Sequence, residues 1–99
     1  MRYVLDIDGV LVKTDGVDYR SSVPIPEVIR RVNKLFDEGN VIILYTARGS
    51  KTGVDWKEFT WGQMLSFGVK FNELVFGKPY GDWYIDDRGI NVKDWLKEN

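Results

Sequence analysis

Asp6 and Asp8 stand two residues apart directly after a short apolar run, Tyr3-Val4-Leu5, and are followed by Gly9. A second acidic pair, Asp86-Asp87, follows another apolar run, Trp83-Tyr84-Ile85. Between the two pairs, Thr46 closes the run Val41–Tyr45, and Lys78 lies just past Glu73-Leu74-Val75-Phe76. Carboxylates, a hydroxyl and an ammonium together suit phosphoryl transfer. Clustered carboxylates repel one another unless a cation sits among them, and an all-oxygen ligand set suits Mg2+. A carboxylate can attack phosphorus to form an aspartyl phosphate. A lysine ammonium and a threonine hydroxyl can hold phosphoryl oxygens as charge redistributes. Gly9 permits the tight turn that would aim backbone amides at an anion.

Composition narrows the chemistry further. The chain has no His and no Cys, which removes the usual general base, the usual zinc ligand and all thiol chemistry. The net charge is -1, from 14 basic and 15 acidic residues. With no long run of either sign, no footprint for nucleic acid or an anionic membrane is expected. Asp6 and Asp8 interrupt the first apolar run, so no signal peptide is read there, and no run reaches membrane-spanning length. A cytoplasmic protein is the expectation.

The elements that must position these residues follow from hydrophobic spacing. The 99 residues, 43% hydrophobic and 14% aromatic, suffice for one compact domain, 1–99, with a real core. Tyr3–Leu5 and Val41–Tyr45 read as buried strands, and Glu73–Phe76 as a third. Trp83–Ile85 reads as a fourth strand ending in acid. Val28, Ile29, Val32, Leu35 and Phe36 recur at helical spacing over 27–38, with Pro26 in the first turn and Gly39 as the stop. A second helix is expected from Asp55 to Phe67, with Trp56, Phe59, Met64 and Phe67 on one face as core or interface. A short one follows from Asn91, its cap, to Lys97. The Val10–Val23 stretch reads as a loop or small hairpin. Alternating strands and helices predict an α/β domain with a parallel sheet and right-handed crossovers. The link from Gly77 to Asp82 is too short for a crossover helix. Ligands of such sheets bind beyond the carboxyl ends of the strands, which is where Asp6, Asp8, Thr46, Lys78, Asp86 and Asp87 fall.

The four segments also resemble, in order, the four motifs of the haloacid dehalogenase (HAD) superfamily. Asp6-Ile7-Asp8-Gly9-Val10 is similar to the first motif, Thr46 in Tyr-Thr-Ala-Arg to the second, Lys78 in Gly-Lys-Pro to the third and Asp86-Asp87 to the fourth. The resemblance implies a three-layer, Rossmann-like parallel sheet flanked by helices. It implies Asp6 as nucleophile and Asp8 as general acid, then base. Thr46 and Lys78, with Ile7 and Ala47, would bind the phosphoryl group. Mg2+ would be held by Asp6, the Asp8 carbonyl, Asp86 and Asp87. The presence of Asp8 implies phosphate-ester hydrolysis rather than dehalogenation, because the family's dehalogenases lack it.

The insert positions offer only short loops, Val12–Val23 after the first motif and Gly49–Val54 after the second, so no cap subdomain is expected. A capless member takes a phosphate on something large or borrows a lid from a second copy of itself. The Arg48–Trp56 segment, Gly-Lys-Pro and Tyr-Ile-Asp-Asp-Arg88 are similar to small phosphatase-like proteins of bacterial capsule and surface-polysaccharide synthesis. That likeness implies a sugar phosphate or a related small phosphate ester. Taken singly, Thr46 reads better as a cap for the next segment and Lys78 as an ordinary surface lysine. Arg20, Arg48, Lys51 and Arg88 read as surface charges, of which Arg48 and Lys51 could also meet an anionic substrate. The competing class is a non-catalytic scaffold or regulatory module of the same fold. The order of the acidic groups disfavours a receiver domain.

Overall fold

A computed structural model of the chain describes residues 1–98. Its elements are β1 (Arg2–Asp6), β2 (Val12–Lys13), β3 (Val23–Pro24), α1 (Pro26–Asp37), β4 (Val41–Thr46), α2 (Lys57–Ser66), β5 (Glu73–Phe76) and α3 (Val92–Lys97), with a 3-10 turn at Tyr19–Ser21. β1, β4 and β5 form a parallel sheet in that order. β2 and β3 pair antiparallel as a small hairpin.

Chain order and sheet order coincide, so both crossovers step the same way. With right-handed crossovers, α1 and α2 then lie on the same face of the sheet. Side chains agree. Leu5, Ile42 and Leu44 point to one face and form a single core with Val28, Ile29 and Val32 of α1 and Met64 of α2. Each such aliphatic side chain contributes about 1.5–3 kcal/mol on burial. Asn33 of α1 donates to the carbonyl of Gly68 and accepts from the backbone N–H of Lys70, tying α1 to the chain leaving α2. α3 lies beside α1, where the Arg31 guanidinium sits 4.8 Å from the Trp95 ring centre.

α1 begins with Pro26 at its first position, and Gly39, at φ 94°, takes the chain out of it. α2 is shorter than its predicted span, and its first turn is held by Asp55, which accepts from the Lys57 N–H. Asn91 caps α3 as expected, accepting from the Lys93 N–H. On α2 the predicted apolar face divides. Met64 is fully buried under the sheet, whereas Trp56 packs edge-on against Tyr19 and Phe59, at 5.0 Å and 5.5 Å between ring centres.

The predicted fourth strand is a correction. Trp83, Tyr84 and Ile85 form no strand and pair with nothing, and Trp83 and Ile85 are 86% and 98% exposed. An apolar run becomes a strand only when a neighbour takes up its backbone groups. β1 is an edge strand here. The opposite sheet face stays open at Val4, 62% exposed, and at Val75. Among the described residues no helix covers it.

Candidate functional site

The carboxyl end of β1 runs into a tight turn built on one carbonyl. Ile7 O accepts from the N–H groups of Val10, Leu11 and Val12, and the Gly9 N–H donates to Val12 O at 2.8 Å. Gly9 has φ 87°, a conformation that side-chain-bearing residues avoid. The turn leaves Asp6 and Asp8 half-buried at the end of the sheet while Ile7 is fully buried between them.

Asp6 and Lys78 meet there. Lys78 Nζ donates to Asp6 Oδ2 at 3.0 Å, and Asp6 Oδ1 accepts the Ile7 N–H at 3.0 Å. Lys78 is brought in from the end of β5, where its own N–H donates to Thr46 O at 3.2 Å and its carbonyl accepts the Ser50 hydroxyl. The Lys78 ammonium also lies 4.1 Å from the Tyr84 ring centre. Thr46 itself is fully buried, and its hydroxyl oxygen accepts the Arg48 N–H at 3.1 Å. Ala47 is half-buried between the two.

Asp8 is held at both carboxylate oxygens. Arg48 Nε donates to Oδ2 at 3.0 Å and Nη2 to Oδ1 at 2.8 Å, a two-pronged ion pair. Thr14 Oγ1, from the hairpin loop, donates to Oδ1 at 2.6 Å. The expectation that Arg48 is a surface charge or meets substrate is corrected. It is 2% exposed, and Nη1 is engaged by Thr60 and Gln63 of α2 at 3.1 Å and 2.9 Å. A buried guanidinium requires such partners, because an unpaired charge out of water is costly. Gln63 in turn donates to Tyr19 O at 2.8 Å, and the Tyr19 ring centre lies 4.7 Å from the guanidinium carbon. Burial pushes the Tyr19 phenol above its ordinary range. The Asp8 charge adds to that, and Arg48 opposes it.

The second acidic pair stands apart. Asp86 and Asp87 are exposed, and Asp86 accepts the Arg88 N–H in a local turn. That bond, first, holds the Asp86 carboxyl below its usual range. Among the described residues no three Asp or Glu side chains gather closely enough for a metal ion. As these side chains stand they do not fit a Mg2+ centre. Both Asp8 oxygens are engaged, Asp6 Oδ2 faces Lys78, and the acids meant to complete the shell lie on the unpaired segment. Lys51 is exposed, its ammonium 5.0 Å from the Tyr80 ring centre.

The structure thus brings Asp6, Asp8, Thr46 and Lys78 to the carboxyl end of the sheet, where the sequence placed them, and adds Thr14, Tyr19, Thr60 and Gln63, which sequence reasoning did not single out for the site. A signal existed for the last two. Thr60 and Gln63 share one face of α2 with Met64, and polar residues on an inward face call for a buried partner.

No family model and no curated protein matches this chain. The crystal structure of an MCSG target from Vibrio cholerae is similar to it, with a TM-score of 0.88 at 25% identity. The match covers 99% of this chain and 89% of that one. It supports the observed fold, a small α/β unit on a parallel sheet.

Proposed function

We propose that this chain is a phosphohydrolase of HAD type, cleaving a phosphate monoester, such as a sugar phosphate, with Asp6 as nucleophile. The observation that carries the reading is the contact between Asp6 and Lys78 at the carboxyl end of the parallel strands, with Asp8 alongside. A nucleophilic carboxylate beside a fixed ammonium can receive a phosphoryl group, whose oxygens the ammonium then balances.

In the first step an Asp6 oxygen bonds to phosphorus as the ester P–O bond breaks. The departing oxygen keeps that electron pair and takes a proton from Asp8. In the second step water attacks the aspartyl phosphate and gives its proton to the Asp8 carboxylate. The P–O bond to Asp6 breaks, releasing inorganic phosphate. Asp8 as seen, accepting from Arg48 and Thr14, has the geometry of the ionised form that serves the second step.

Mg2+ belongs to the proposal through the family resemblance and the need to offset negative charge. Asp86 and Asp87, which the resemblance assigns to that ion, are exposed on the unpaired segment. The three-layer HAD arrangement would likewise need cover on the open face at Val4 and Val75. No cap is present among the described residues, and a second copy of the chain is the proposed lid. We place the protein in the cytoplasm.

The deciding assay is hydrolysis of 4-nitrophenyl phosphate and a panel of sugar phosphates, with Mg2+ and with EDTA. Borohydride reduction of trapped enzyme would convert a phosphorylated Asp6 to homoserine. Wild-type turnover, loss of it in Asp6→Asn and homoserine at position 6 are the expected results. Turnover that persists in Asp6→Asn would refute the assignment. The rival reading is a non-catalytic module, and inactivity across the whole panel would select it.

A further inference from the structure

Arg48 takes no part in the chemistry just described, yet it is the most deeply buried charged residue of the site region, at 2% exposure. Two of its hydrogen bonds grip the Asp8 carboxylate, one on each oxygen. Two more anchor it to α2 through Thr60 and Gln63. Gln63 then reaches across to Tyr19 O in the hairpin loop, and the same loop supplies Thr14 to Asp8. The carboxylate is therefore fixed from a helix on one side and from a loop on the other. A general acid acts only while it is held within hydrogen-bond reach of the leaving oxygen.

We propose that Arg48 is a positioning residue for Asp8. Its planar fork, clamped by Thr60 and Gln63, holds the carboxyl in the one orientation from which it passes a proton to the leaving group. The proposal rests on the phosphohydrolase reading above. A lysine at this position could reach only one Asp8 oxygen, since an ammonium lacks the paired, coplanar donors of a guanidinium. Arg48 is distinct from the phosphate-binding groups, because its donors point to Asp8, Thr60 and Gln63 and its side chain is closed to solvent.

The test compares two esters that differ in their need for acid catalysis. 2,4-Dinitrophenyl phosphate leaves without a proton, whereas an alkyl phosphate such as a hexose 6-phosphate needs one. Wild-type and Asp6→Asn proteins come first. If the wild type hydrolyses neither ester, or Asp6→Asn hydrolyses both, the reading of the site fails and the role of Arg48 goes with it. If the reading holds, Arg48→Lys is expected to lower kcat on the alkyl phosphate by about 10–100-fold, within the usual worth of general acid catalysis. The aryl ester should slow by less than about threefold, with KM unchanged on both. In an Asp8→Asn background, Arg48→Lys should cost nothing more on the alkyl ester.

Equal losses on the two esters would overturn the proposal, as would a change confined to KM or a full additional loss in the Asp8→Asn background. Circular dichroism and thermal melting check that Arg48→Lys folds. If it does not, Thr60→Val and Gln63→Leu, which leave the Asp8–Arg48 pair in place but loosen its anchor, should show the same selective loss at about 3–10-fold. Unselective losses, or none, in both would equally refute the role.

Discussion

Replacing Asp8 by Ala removes the only carboxylate that Arg48 touches among the described residues. The guanidinium side chain is 0% exposed and the Asp8 side chain 28%. Thr60 and Gln63 would still accept from Nη1, but Nε and Nη2 would face an empty, partly apolar space. Removing one partner of a buried pair costs about 3–5 kcal/mol, because the other charge is left uncompensated. Water can reach the vacated site from the exposed side of Asp8, so the lower end applies, about 3 kcal/mol. A domain of this size has about 5–15 kcal/mol in all, and the loss corresponds to about 12–24 °C in Tm. Urea titration followed by tryptophan fluorescence measures it, provided the slope is unchanged. Adding Arg48→Met to Asp8→Ala removes the stranded charge and should recover at least about 1 kcal/mol. An Asp8→Ala loss below about 1 kcal/mol, or a double variant worse than the single one, would show that Arg48 is not buried against Asp8 in solution.

Two further outcomes are expected. Gly49 has φ 81°, and a Cβ built on it runs into the carbonyl oxygen of Val54; Gly49→Ala should therefore destabilise the fold by about 1–3 kcal/mol, and a neutral denaturation curve would contradict that local geometry. Tyr19 concerns alkaline pH. Its phenol ionises less readily when folded, chiefly through burial, so its contribution is whole below the unfolded value of about 10 and declines as pH rises through the folded one. Tyr19→Phe should flatten the fall in stability above about pH 10, and identical alkaline profiles for the two proteins would remove Tyr19 from that account.

Sequence patterns located the framework because the framework is local. Val41–Thr46 is nearly all β-branched or apolar and could only be a buried strand, and the helical spacing from Val28 to Phe36 had only one interpretation. Asp6 and Lys78 were legible for a similar reason, since each follows its strand at once and parallel order sends both to one edge. Arg48 was not, because its residue type argues for the surface, and its burial depends on Thr60 and Gln63 arriving from another element. Trp83–Ile85 failed in the opposite direction. Its composition favours a strand, but pairing is a property of two segments, and only one was visible in the run itself.

The contact between Asp6 and Lys78 closes a separation of 72 residues along the chain. Synthesis delivers the amino-terminal aspartate early and the lysine late. A nascent chain that has already folded β1, α1 and β4 carries Asp6 without its ammonium partner. The ion pair between them forms only once the third parallel strand has docked and carried Lys78 into place.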